Sequence, residues 1–106
     1  MADVYLGELE QVVLLAVLRL GAEAYAVPIL EQIEAQTGRK IARGALYTAL
    51  DRLEKKGCLR SRVGEPLPER GGRARRYFTV TPAAVRALKA SRLALMRLWN
   101  GLESML

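Results

Sequence analysis

Four arginines lie close together in one short stretch of the chain: Arg70, Arg73, Arg75 and Arg76, beside the pair Gly71–Gly72. A guanidinium group makes forked hydrogen bonds to phosphate oxygens, and the narrow minor groove of DNA attracts it. The alternative is a solvated loop, which would more naturally mix lysine with acidic residues. The composition therefore favours contact with a polyanion.

A second set of polar residues follows helical spacing between positions 43 and 56. If Leu46, Leu50 and Leu53 face a core, the opposite side of the helix presents donors to phosphates and base edges. That side comprises Arg43, Gly44, Tyr47, Thr48 and Asp51, with Arg52 at its margin and Lys55 and Lys56 behind them as phosphate contacts. The small Gly44 lets the helix start approach a phosphate closely. The alternative is an ordinary polar helix face.

Charge is unevenly distributed along the chain. Residues 1–38 contain one basic and six acidic residues, whereas residues 39–80 contain twelve basic and four acidic ones. A basic middle next to an acidic first third predicts that a polyanion binds one face, and the alternative is a solvated basic surface. The longest apolar run, residues 12–18, is too short for a bilayer, so no membrane contact is expected.

Catalytic and metal-binding patterns are missing from the sequence. The chain has no histidine, no glycine-rich phosphate loop and no paired-carboxylate constellation. We therefore predict that it is not an enzyme and uses no cofactor or metal. The single cysteine, Cys58, is predicted to be a buried structural thiol rather than a redox sensor, and an unpaired cysteine favours a reducing, cytoplasmic location.

The elements that position these residues follow from periodicity and capping. Helices are predicted over about residues 6–20, 27–37, 42–56 and 82–104, and strands over 58–63 and 76–80. Only a tight turn separates the second and third helices, which is the spacing of a helix-turn-helix. The two strands form a hairpin with a basic tip. Thr81 followed by Pro82 predicts the start of the last helix.

The first and last helices are more apolar than one domain of this size can cover. We therefore predict a two-fold homodimer. Its contact surface is predicted to comprise Leu9, Val12, Val13, Val85, Leu88, Leu95, Trp99 and Leu102. Trp99 with the nearby Met96 is also a candidate site for a planar hydrophobic small molecule, and the alternative is that Trp99 packs in the dimer core.

Two motifs resemble those of the PadR family of transcriptional regulators. The run RGALYTALDRLEKKG at residues 43–57 resembles the recognition-helix signature, and PERGGRARRYF at residues 68–78 resembles the wing. The likeness spans nearly the whole chain. It implies a winged helix-turn-helix dimer that usually represses transcription by binding an operator, with the last helix forming most of the dimer contact. Some small members bind flat hydrophobic compounds between subunits through a tryptophan, and Trp99 occupies a comparable place.

Together these features predict an α+β fold, mostly helical, with a winged helix-turn-helix DNA-binding domain over residues 1–81 and a C-terminal dimerisation helix over residues 82–106. We predict a homodimeric repressor that reads a palindromic operator in double-stranded DNA. The alternative is a winged helix that binds other proteins. Ala42 stands where a better N-cap such as serine is usual, which weakens the start of the third helix by about 1 kcal/mol.

Overall fold

The computed structural model describes residues 4–65 and 74–106. Within these ranges the elements are α1 (Glu8–Leu20), α2 (Ala26–Thr37), α3 (Arg43–Lys55), β1 (Leu59–Val63), β2 (Arg76–Val80) and α4 (Pro82–Trp99). The predicted class, mostly helical with one antiparallel hairpin, is confirmed. None of the helices in the described ranges combines the length and apolarity needed to cross a membrane.

Glycines end the first two helices. Gly21 follows α1 with φ 58° and Gly38 follows α2 with φ 72°, and this left-handed region disfavours other residues. The Gly38 N–H donates to the carbonyl of Glu34, which closes α2. The turn from α2 to α3 is therefore short, and the predicted helix-turn-helix is present.

The core lies between the first three helices and one face of the hairpin. Each helix buries the apolar stripe that its spacing predicts. The core residues that are fully or nearly fully buried include Val13, Leu14, Ile29, Ile33, Leu46, Leu50, Leu53, Leu59 and Phe78. The first three helices and the hairpin thus share one packed interior, which fixes the orientation of α3.

We call β1, β2 and the chain between them the wing. In the hairpin register Arg62 lies opposite Tyr77, and Ser61 lies opposite Phe78. The Phe78 N–H also donates to the carbonyl of Ala24, at 2.9 Å, so β2 is held against the segment that leads into α2. The wing is thereby attached to the helix-turn-helix on the side away from β1.

Thr81 joins the wing to α4, as its capping signal predicts. Its hydroxyl accepts a hydrogen bond from the Ala84 N–H and donates to the carbonyl of Gly57, at 2.7 Å. Pro82 occupies the first helical position, where its missing N–H has no partner to lose.

The last helix is shorter than its apolar spacing predicts. α4 ends at Trp99, and Gly101 follows with φ 86°, a left-handed conformation that breaks the helix. The Leu102 N–H then bonds to the carbonyl of Trp99 in a tighter turn. The prediction of a helix to about residue 104 was wrong because the apolar pattern continues past the break. Leu102 therefore lies beyond the helix.

Candidate nucleic-acid interface

The outward face of α3 is polar and exposed along its whole length. Leu46, Leu50 and Leu53 are buried, which turns the other side of the helix to solvent. The residues predicted for that side, Arg43, Gly44, Tyr47, Thr48, Arg52 and Lys55, are all exposed. Asp51 lies among them, and the prediction placed it outward without giving it a role. Their exposure is confirmed, and their contacts with a ligand stay a prediction.

A cleft of about 460 Å³ separates α3 from the base of the wing. Arg43 and Tyr47 of α3 line one wall, and Arg75 and Arg76 line the other. In the described part of the chain no carboxylate lines this cleft. Three arginines predicted from two separate stretches of sequence therefore lie around one opening, which suits a polyanion.

Arg76 is partly engaged within the protein. Its guanidinium forms an ion pair with Glu54 of α3, and its Nε donates to the hydroxyl of Ser61, at 3.1 Å. That hydroxyl donates in turn to the Glu54 carboxylate, at 3.0 Å. The network ties β2 to α3, and it offsets part of the charge that Arg76 was predicted to offer to phosphates.

Arg75 lies against two tyrosines at the base of the wing. Its guanidinium carbon is 4.3 Å from the centre of the Tyr25 ring. Tyr25 meets Tyr77 edge-on, with 5.5 Å between ring centres. The guanidinium carbon of Arg62 lies over the Tyr77 ring, 4.5 Å from the ring centre. A hydrogen bond with the Tyr77 side chain raises the pKa of Arg75. No role was predicted for Tyr25, Tyr77 or Arg62.

Lys56, a predicted phosphate contact, is held by the protein itself. Its Nζ donates to Glu10 Oε1, at 2.7 Å, and to the carbonyl of Tyr5, at 3.0 Å. The same Glu10 oxygen accepts from the Gly7 N–H, at 2.9 Å. Burial raises the pKa of Glu10, but the hydrogen bonds from Lys56 and Gly7 outweigh it and leave that pKa below its ordinary value. Lys56 therefore fixes the end of α3 to the start of α1.

Two of the predicted phosphate contacts, Arg70 and Arg73, lie outside the described residues. Cys58 is fully buried, as predicted, and burial raises the pKa of its thiol. In residues 4–65 and 74–106 no group of three or more histidine, cysteine or acidic residues is placed to hold a metal ion.

A groove of different character runs between α1 and α4. Its volume is about 520 Å³, and its exposed walls are the apolar side chains of Leu15 and Leu18 from α1 and Leu95, Met96 and Trp99 from α4. Trp99 is 48% exposed, although a large aromatic side chain would normally be covered. Every residue from Arg92 to Leu106 is exposed, so nothing in the described part of the protomer covers this half of α4.

The predicted dimer residues divide into two groups in the structure. Leu95, Trp99 and Leu102 are exposed, and the half-buried Leu9, Val12 and Val85 retain part of their surface. Val13 is 0% exposed and lies inside the protomer's own core, because it is on the inner side of α1. Leu88 is 8% exposed and forms the floor of the groove. Val13 therefore cannot contribute to the predicted interface. Leu15 and Leu18, which were not predicted, are exposed beside α4 and are further candidates for it.

Comparison with known proteins agrees with this architecture. The model of the "Transcriptional regulator PadR-like family" matches residues 14–90. No curated protein matches the chain in sequence.

Solved structures provide the fold comparison. The chain is similar to a transcriptional regulator from Clostridium thermocellum, with 25% identity and a TM-score of 0.72, over 90% of this chain and 89% of that one. It is similar to a PadR-like transcription factor from Bacteroides fragilis, with 23% identity and a TM-score of 0.72, over 92% and 89%. A PadR family transcriptional regulator from Eggerthella lenta gives 27% identity and a TM-score of 0.68, over 92% and 85%. The predicted winged helix fold is thus confirmed.

Proposed function

Since the chain belongs to the PadR-like family of transcriptional regulators, we propose that it binds double-stranded DNA as a homodimer and represses transcription from a palindromic operator. The family implies DNA-binding regulation rather than enzyme activity. The observation that most supports the proposal is the cleft in which Arg43 and Tyr47 of α3 meet Arg75 and Arg76 at the base of the wing.

In this proposal α3 enters the major groove, whose width admits an α-helix. Arg43 and Thr48 lie nearest the bases, because both are exposed on the first half of the helix. Tyr47, Arg52 and Lys55 reach phosphates beside the groove, and Gly44 allows close approach of the backbone. The arginines of the wing, Arg70, Arg73, Arg75 and Arg76, follow the phosphates of the neighbouring minor groove.

Dimerisation rests on the groove between α1 and α4. A second copy of this chain supplies the matching occupant, since the uncovered half of its own α4 presents Leu95, Met96 and Trp99. Two-fold packing of one α4 into the partner's groove would cover both exposed surfaces at once. Residues 1–81 then form the DNA-binding domain and residues 82–106 the dimerisation segment. Two recognition helices about 34 Å apart would read the two halves of a palindrome.

The same groove supports a candidate effector site. Trp99 and Met96 of each protomer would meet near the two-fold axis, where a planar hydrophobic compound can stack on the indole. Occupancy would change operator affinity only if the compound favours one spacing of the two wings. Because the chain has one tryptophan, its fluorescence reports binding directly. Planar cationic dyes should quench it saturably and weaken operator binding in parallel, and unperturbed, blue-shifted emission would leave Trp99 as dimer core.

Selection of bound sites from random duplex DNA tests the main proposal. We expect a palindromic consensus, bound with an affinity that falls steeply between low and moderate salt because released counterions drive phosphate contacts. Replacing Arg73, Arg75 and Arg76 together with alanine should weaken binding to every duplex and reduce the salt slope by about 0.9 for each phosphate that the variant no longer neutralises. Failure to enrich any sequence, together with salt-resistant capture of a protein, would favour a protein-binding winged helix instead.

A further inference from the structure

Four side chains at the base of the wing form a continuous stack in which two arginines flank two adjoining aromatic rings. The guanidinium carbon of Arg62 lies 4.5 Å from the centre of the Tyr77 ring, and that of Arg75 lies 4.3 Å from the centre of the Tyr25 ring. The two tyrosine rings meet edge-on, with 5.5 Å between their centres. The members come from three places in the chain: β1, β2 with its approach, and the residue that immediately precedes α2. The stack therefore bridges the wing and the helix-turn-helix.

Backbone geometry keeps the stack in register. The Gly64 N–H donates to the carbonyl of Arg75, at 2.7 Å, which continues the hairpin past the last strand pair. A β-carbon at Gly64 would lie 2.8 Å from Cε2 of Tyr77, so only glycine leaves room for that ring. On the other side, the Phe78 N–H bonds to the carbonyl of Ala24 and brings Tyr77 beside Tyr25.

The Arg75 guanidinium is held by an aromatic ring, whereas that of Arg76 pairs with the carboxylate of Glu54. Arg75 lies on the Tyr25 ring, its Nε is buried, and that atom makes no hydrogen bond within the described residues. An arginine that only neutralised phosphates would be expected to extend into solvent. The planar guanidinium instead stacks on an aromatic face, an arrangement that lysine reproduces poorly.

We propose that the stack of Arg62, Tyr77, Tyr25 and Arg75 fixes the wing to the start of α2, so that Tyr25 and Tyr77 are positioning residues for DNA binding. The proposal rests on the DNA-binding function proposed above. It extends that function by assigning the wing's placement to uncharged side chains and by giving Arg75 a role in holding the wing. Disruption of the stack therefore weakens phosphate binding without removing any positive charge.

Hydrogen exchange of the free protein tests the positioning role without DNA. The Gly64 amide reports wing attachment, because its partner is the carbonyl of Arg75. Tyr25→Leu should speed exchange of this amide about 10-fold, within the range for coupled residues in contact. Tyr5→Leu is the matched control, since Tyr5 is 80% exposed and lies outside the stack. Unchanged Gly64 exchange in a folded Tyr25→Leu protein would overturn the proposal whether or not the protein binds DNA.

The salt dependence of DNA binding gives the second test. Tyr25→Leu should weaken binding about 10-fold and lower the salt slope by about 0.9 for each phosphate that the wing no longer neutralises, although the charge of the protein is unchanged. Gly64→Ala adds one methyl group that pushes the Tyr77 ring out of its place, so it should also weaken binding and lower the salt slope. It replaces Tyr25→Leu as the test variant if Tyr25→Leu does not fold. Because Tyr25 and Arg75 belong to the same stack, the effects of their substitutions should not add. The Tyr25→Leu/Arg75→Gln double variant should therefore bind DNA only slightly more weakly than either single variant.

A purely structural role predicts a different pattern. It would lower the melting temperature of the variants and leave the salt slope at the wild-type value wherever the protein is folded. That result would overturn the proposal, as would an Arg75→Lys variant that keeps both the wild-type slope and wild-type Gly64 exchange. A wild-type protein without salt-dependent DNA binding would refute the proposed function, and the exchange experiment would still decide the role of the stack.

Discussion

The outward face of α3 and the second half of α4 are both exposed, but their exposed side chains differ in kind. α3 buries one apolar stripe and presents polar residues such as Arg43 and Thr48. The second half of α4 has no buried residue and presents Leu95, Met96 and Trp99. Polar exposure costs a monomer little, whereas a contiguous apolar surface marks a contact with another molecule.

This difference separates two kinds of partner. The side chains on α3 retain their hydration until a charged ligand displaces water, so the interaction they favour depends on salt. The side chains on α4 gain free energy by leaving water, so the interaction they favour resists salt. In the function proposed above, one small chain has a surface for nucleic acid and a separate surface for a second copy of itself.

The largest expected effect comes from placing a charge on the α4 surface. Leu95→Lys should convert the dimer to a monomer, because an unpaired ammonium cannot be buried in an apolar contact. Operator affinity should then fall on the order of 100-fold, since the second half-site no longer binds in the same complex. Light scattering at micromolar concentration measures the mass. Ala94→Lys, at an exposed position that does not line the groove, should stay dimeric, and a dimeric Leu95→Lys protein would place the interface elsewhere.

A smaller effect is expected on α3. Arg43→Ala should cost about 1–3 kcal/mol at the cognate base pair and relax the sequence preference there. Competition binding against single-base operator variants measures both quantities. Arg97→Ala removes the same charge from an exposed position on α4 and should leave the preference unaltered. Equal reductions in affinity for the two variants would mean that Arg43 contributes only net charge.

The attachment of α3 to α1 gives a prediction about pH. Glu10→Gln should destabilise the fold by about 1–2 kcal/mol near neutral pH, because the hydrogen-bonded charge of Lys56 loses its partner. The pKa of Glu10 is lowered in the folded protein from an ordinary value of 4.5. Its contribution is therefore complete above that value and is lost as pH falls below it. Denaturant unfolding at several pH values should show the two proteins converging in acid.

The exposed pair of Glu8 and Arg39 provides the control for that experiment. The Glu8 side chain is 84% exposed, so Glu8→Gln should change stability by no more than about 0.5 kcal/mol at any pH. A comparable destabilisation of both variants would show that general charge, and not the Glu10–Lys56 contact, sets the pH dependence.

The smallest effect concerns how the two helices begin. Thr81 caps α4 with its hydroxyl, whereas Ala42 precedes α3 without any side-chain hydrogen bond. Ala42→Ser should stabilise the protein by about 0.5–1 kcal/mol, as an added N-cap does. Thermal unfolding measures the gain, and Ala42→Val, which lacks a hydroxyl and is as poor an N-cap as alanine, is the control. No gain with serine would mean that the start of α3 cannot adopt capping geometry.

Local signals in the sequence predicted most of the fold. Strand β2 over residues 76–80, the Thr81–Pro82 start of α4 and the outward face of α3 all follow from spacing and capping within a few residues. The end of α4 was missed because the apolar pattern of residues 102, 105 and 106 continues beyond the left-handed Gly101. Periodicity indicates which side chains are apolar, but it does not indicate a backbone break.

The candidate site was less predictable because its organisation depends on distant partners. Composition marked Lys56, Arg75 and Arg76 as cations but could not show that Lys56 pairs with Glu10 or that Arg75 lies on Tyr25. Those contacts join residues that only the folded chain brings together. Likewise, Val13 and Leu15 are equally apolar in the sequence, and only the packing of α1 makes one core and the other surface.

The hydrogen bond from the Phe78 N–H to the carbonyl of Ala24 also bears on the order of folding. Its two residues are far apart in sequence, so forming it early would cost substantial loop-closure entropy. We expect α2 and α3 to pack first and to shorten that separation, so substitutions at Phe78 should speed unfolding more than they slow folding. In that order of folding, the cleft between α3 and the wing would assemble last, and a partly folded chain would lack the complete surface that we propose for DNA.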